Sequence, residues 1–72
     1  MSEENLLLCL EFYGDSLCHD LLAAIDVPHR EMEKAMKGFG RALCRMRRLR
    51  AVEVVALDGR GETVFRRTIY AA

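Results

Sequence analysis

The sequence predicts an α+β domain of three helices followed by a two-stranded antiparallel hairpin. Three observations carry that expectation. Apolar residues recur at helical spacing in three successive segments, Gly14 and Pro28 separate those segments, and Asp58-Gly59-Arg60-Gly61 divides two β-rich runs near the C-terminus. With 72 residues the chain makes one domain over 1–72, since a domain takes about 100–200 residues. A composition of 51% hydrophobic and 31% charged residues belongs to a folded globular chain rather than a disordered one.

Ser2 is suited to N-cap a first helix over roughly 3–13, with Glu3 and Glu4 at its positive end. Leu6, Leu7, Leu10 and Tyr13 share one face, and Gly14 is a natural stop. A second helix follows over roughly 16–25, capped by Asp15 or Ser16, with Leu17, Leu21, Leu22 and Ile25 as its apolar stripe. Asp26-Val27-Pro28 breaks it, and Pro28 suits the first turn of a third helix over roughly 29–39.

In that third helix Met32, Ala35, Met36 and Phe39 fall at i, i+3, i+4, i+7, within roughly 100° of arc. Arg30, Lys34, Lys37 and Arg41 gather within roughly 60° on the opposite side. Leu43 and Met46 continue the core face, and Arg45 and Arg48 the basic one. Gly38 and Gly40 each cost about 1 kcal/mol in a helix interior, so a bend is expected there. Residues 40–49 read either as an extension of the helix or as a separate element. The hairpin pairs 52–57 with 62–68. Setting Leu57 opposite Glu62 brings Val54 opposite Phe65 and Glu53 opposite Arg66, with Val52, Val54, Ala56, Phe65 and Ile69 on the face that covers the helices.

The formal net charge of zero conceals a strong polarity. Residues 1–33 carry eight acids against the single base Arg30, and residues 34–72 carry ten bases against three acids, so the halves are −7 and +7. Such a split suits a polyanion or an acidic protein as partner of the basic half. The alternative is that the two halves neutralise each other across the fold.

The stretch from Asp20 to Met36, with Leu21, Ile25, Val27, Met32, Ala35 and Met36 at its buried spacing, resembles the winged helix-turn-helix family. Leu22 stands where that family usually has a small residue, and Asp26 where a turn glycine is common. The resemblance implies a third helix that enters the major groove of double-stranded DNA and a hairpin that braces it as a wing. The implied DNA contacts are His29, Arg30, Lys34, Lys37, Arg41 and Arg45 from the helix, with Arg60 at the wing tip and Arg66 further down the hairpin. Arg30, near the helix N-terminus, is the candidate for bidentate guanine readout.

Other chemistries find little support. Cys9, Cys18 and Cys44 are odd in number and widely spaced, which suits reduced thiols. Cys18-His19 are adjacent and would diverge by about 100° on a helix, so neither a metal site nor a Cys-His nucleophile is expected. Neither Gly38-Phe39-Gly40 nor Gly59-Arg60-Gly61 follows a strand and opens a helix, as a phosphate loop must. No cofactor, small-molecule substrate or catalytic role is expected. No apolar run has the length of a membrane span, and Met1-Ser2-Glu3-Glu4 is acidic where a secretory leader is basic, so the expected location is the cytoplasm.

These observations predict a small sequence-specific DNA-binding transcriptional regulator of bacterial or phage type. It would act as a homodimer or with a partner protein, because one domain of this size buries limited DNA surface. The alternative is a protein-binding winged helix, such as a phage-type inhibitor or antirepressor, whose basic face grips an acidic partner. RNA is a weaker third option, since no aromatic platform accompanies the arginines.

Overall fold

The computed structural model describes residues 6–71; the expected cap at Ser2 lies outside them. The chain runs β1 (Leu7–Tyr13), β2 (Leu21–Pro28), a single 3-10 turn at His29–Glu31, α1 (Met32–Arg47), β3 (Ala51–Leu57) and β4 (Thr63–Tyr70). The strands form one antiparallel sheet in the order β2-β1-β3-β4, with α1 against one face. The domain is therefore one helix on a four-stranded sheet, and the expected three-helix, winged-helix arrangement is overturned.

The helices expected over 3–13 and 16–25 are β1 and β2. A leucine-rich run satisfies two templates at once. Leu6, Leu7, Leu10 and Tyr13 fit a helix, while Leu8, Leu10 and Phe12 fit the two-residue period of a strand. The strand wins: those three are 5%, 0% and 0% exposed, whereas Leu6, Leu7, Leu17 and Leu21 are all at least half exposed. Seven or eight residues are too few to hold a helix by themselves, so pairing outweighs the helical preference of Leu and Ala. Residues 14–20 form the connecting loop. The Asp15 carboxylate accepts the backbone N–H groups of His19 and Asp20, each at 2.9 Å, and Gly14 N–H closes on the Asp20 carbonyl.

β2 is an edge strand. His29 N–H donates to the Leu6 carbonyl at 2.9 Å. Carried along the register Leu8↔Val27, Leu10↔Ile25, Phe12↔Ala23, that ladder turns the N–H groups of Ala24 and Asp26 away from β1. The nitrogen of Pro28 points outward as well, which is where an edge strand tolerates proline.

The third expected helix exists but is longer. α1 runs through both glycines to Arg47, and Arg48 ends it in the left-handed conformation (φ 55) with its N–H on the Cys44 carbonyl. Gly40 is required by packing. A Cβ there would lie 2.8 Å from Ile69 Cγ2, so at this point helix and sheet touch backbone to side chain. Two expected core positions turn outward: Phe39 is 49% exposed and Met46 75%. The core consists of Leu10, Phe12, Met36, Cys44, Val52 and Val54, with Ile69 beside them.

The C-terminal hairpin forms, with its register shifted by two residues. Leu57 pairs Thr63, Ala56 pairs Phe65, Val55 pairs Arg66 and Val54 pairs Arg67. The turn is one residue longer than expected, because Asp58 N–H binds the Glu62 carbonyl and the Asp58 carboxylate accepts the N–H groups of Arg60 and Glu62. That change alone would turn every β4 side chain over. A bulge between Ala56 and Leu57 adds a second residue and restores the parity. Val52, Val54, Ala56, Phe65 and Ile69 therefore still share the helix face.

Candidate binding surface

α1 presents three different sides. Its inner side, with Met36, Gly40, Leu43 and Cys44, is buried on the sheet. Its outer side carries Lys34, Lys37, Arg41 and Arg45, all exposed and within about 80° of arc at 100° per residue. The third side faces β2.

The sheet accounts for that third side. Four strands about 4.8 Å apart make a face about 19 Å wide, whereas a helix with its side chains is about 10 Å across. One helix closes over the two central strands, whose inward residues are at most 5% exposed, and α1 lies towards β4. There Gly40 meets Ile69, Arg67 Nη1 reaches both Glu33 carboxylate oxygens at 2.7 Å, and the Arg67 guanidinium lies 5.7 Å from the Phe65 ring centre. Over β2 a groove of about 580 Å³ remains open. Val27 forms its floor, Ala35, Gly38, Phe39 and Ala42 its α1 wall, and Glu31 and Lys34 stand at its rim. Phe39 leans on the core through Phe12, with ring centres 6.3 Å apart, and keeps half its surface in the groove.

The sequence-derived contact residues divide into separate groups. Lys34, Lys37, Arg41 and Arg45 come together on the outer side of α1, and His29 and Arg30 are exposed in the turn that leads into it. Arg60 is exposed at the tip of the β3–β4 hairpin, held there by the Asp58 turn. Arg66 is on the opposite face of the sheet. It shares a row with Val55, donates to Glu53 at 2.6 Å and bonds the Ser16 carbonyl, so it cannot join a surface built on α1.

Among the described residues Glu33 alone pairs the acidic half with the basic half. Among the described residues the ion pairs are Lys37–Glu33 at 3.8 Å, Arg67–Glu33 at 2.7 Å and Arg66–Glu53 at 2.6 Å. Lys34, Arg41 and Arg45 have no ion-pair partner among those residues. Several acids are occupied elsewhere. Glu11 accepts the Tyr13 hydroxyl at 2.7 Å, and that bond, then burial, pushes the phenol up to about 12. Backbone N–H donors, Asp20 first, hold Asp15 below its ordinary value. Burial works to raise the Glu53 carboxyl, but bonds from Thr68 and Arg66 outweigh it and leave the group lowered.

The basic ridge was legible in the sequence and the groove was not. Ala35, Gly38, Phe39 and Ala42 lie within about 100° of one another on the helix, which marks an uncharged flank. Whether such a flank is covered depends on the width of the sheet beside it. Among the described residues no three His, Cys, Asp or Glu side chains gather to hold a metal ion, and no helix is long and apolar enough to cross a membrane. No protein-family model, curated protein or solved structure matches this chain.

Proposed function

We propose that this chain is a non-catalytic binding module that grips an acidic partner protein on the exposed side of α1. The observation that carries the proposal is the apolar groove beside the ridge of Lys34, Arg41 and Arg45. Protein–protein interfaces combine an apolar centre with a polar rim, whereas nucleic-acid interfaces are polar and strongly positive throughout. The ridge cations stand about 6–10 Å apart along the helix, within the Debye length of about 10 Å at 0.1 M salt, so they act together on an approaching polyanion.

Double-stranded DNA is the second reading, and the straightness of the ridge favours it. Lys34 to Arg45 spans about 16 Å of helix, a length that fits along a major groove. Contact would be made by a helix lying flat on its sheet, with Arg60 as an outlying cation, and a second copy would be needed for useful affinity.

Titration of the full chain with labelled poly-glutamate and with short duplex DNA, across a salt series, separates the two. The acidic-partner reading expects saturable poly-glutamate binding that is lost in the Lys34→Ala/Arg41→Ala/Arg45→Ala variant while the melting temperature hardly moves. Tighter binding of the duplex at equal salt, falling with a slope of about −0.9 per phosphate contacted, would replace it with the DNA reading.

A further inference from the structure

Resting on the acidic-partner reading, we infer that the groove over β2 is the seat of a second helix, supplied by the partner protein and amphipathic, with a broad apolar face and acidic residues along the edge that meets α1. The open strip of the sheet is its β2 side, since the helix-facing residues of β1 and β3 are at most 5% exposed, and a helix about 10 Å across laid beside α1 would close over it. Its surface is apolar: Val27 is buried, and Ala23 and Ile25 pack against the core while keeping part of their surface exposed. The α1 wall permits close approach. A Cβ placed on Gly38 would meet nothing within 4 Å, and Ala35 and Ala42 add only a methyl each, so a neighbouring helix axis can come within about 8–10 Å. Phe39 supplies the large apolar contact.

Charge decides the polarity of the occupant. A helix in this seat turns one edge towards the α1 ridge, where Lys34, Arg41 and Arg45 have no ion-pair partner among the described residues. Carboxylates on that edge complement them. Glu31 at the rim disfavours a carboxylate near the start of α1, so the acids belong alongside Arg41 and Arg45. A second copy of this chain does not fit the seat. Its helix already has its apolar side on its own sheet and would present its cations to the cations of the first. DNA would cover the ridge and leave the apolar floor exposed to water.

The test uses the full chain and a labelled synthetic peptide designed as an amphipathic helix, with a broad leucine–alanine face and glutamates along one edge. A scrambled peptide of equal composition, poly-glutamate and duplex DNA serve as comparisons. The designed peptide is expected to bind and become helical, the scrambled one to bind at least about tenfold more weakly, and the amide signals of Val27, Ala35, Phe39 and Ala42 to shift in the native protein. The Gly38→Gln/Ala42→Gln variant fills the seat from the wall. It should lower affinity for the designed peptide about tenfold while the melting temperature stays level with or above the parent's. Equal binding of scrambled and designed peptides, or full binding by the filled variant with no shifts at Val27 and Phe39, would overturn the seat while leaving the acidic-partner reading intact. Loss of both peptide and poly-glutamate binding would overturn both, and duplex binding alone would pass the surface to DNA.

Discussion

Gly38 and Gly40 lie two residues apart in α1, and alanine at each should move stability in opposite directions. Both substitutions recover about 1 kcal/mol of helix propensity. At Gly38 nothing lies within 4 Å of the added methyl, so that gain stands. At Gly40 the methyl would meet Ile69 at 2.8 Å from Cγ2, 3.0 Å from Cβ and 3.2 Å from Cγ1. Ile69 is buried and β-branched, so it has little rotameric freedom to withdraw, and overpacking of this kind costs about 1–3 kcal/mol. The net effect of Gly40→Ala is thus between neutral and about 2 kcal/mol destabilising. In a domain of this size 1 kcal/mol moves the melting temperature by about 4–8 °C, so Gly38→Ala should melt clearly above the parent, and Gly40→Ala level with it or below. Thermal and urea melts read both, and an Ile69→Ala background should shrink the Gly40→Ala penalty, because the two sites are in contact. If Gly40→Ala were as stabilising as Gly38→Ala, α1 would not press on Ile69, and the account of which side of the sheet it lies towards would fail.

Ala24→Pro should leave the fold intact, since its N–H points away from β1, whereas Ala23→Pro removes a ladder bond and should lower the melting temperature sharply; circular dichroism melts that rank them in the other order would reverse the ladder. A spectrophotometric titration should find Tyr13 ionising near pH 12, and Glu11→Gln should bring it down. Because the phenol is raised in the fold, its contribution to stability is complete below its ordinary value of 10.0 and declines as pH climbs towards 12. Glu53 is lowered in the fold, so its contribution is present above its ordinary value and is lost as pH falls through the folded one; Glu53→Gln should flatten the acid limb of a stability–pH curve. An acid limb as steep as the parent's would mean that Arg66 and Thr68 do not hold that carboxylate.

The sequence by itself determined those parts of the protein whose physics is local. Met32, Met36 and Leu43 set the inner side of α1, and Lys34, Lys37, Arg41 and Arg45 its outer side, because both patterns follow from one helical period. The place of the hairpin at Asp58–Gly61 and the facing of Val52, Val54, Phe65 and Ile69 were legible too, since a hairpin needs only neighbours in sequence, but its register was not, because the longer turn and the bulge shift it by two residues. Tertiary structure decided the rest. Residues 7–13 and 21–28 are rich in leucine and alanine and fit either period, and only the pairing of the two with each other, and of β1 with β3 at partners forty or more residues on, makes them strands. Phe39 belongs to the apolar side of the helix in any reading. That it stands half in solvent follows from a sheet four strands wide carrying a single helix, a ratio of widths that no local pattern encodes.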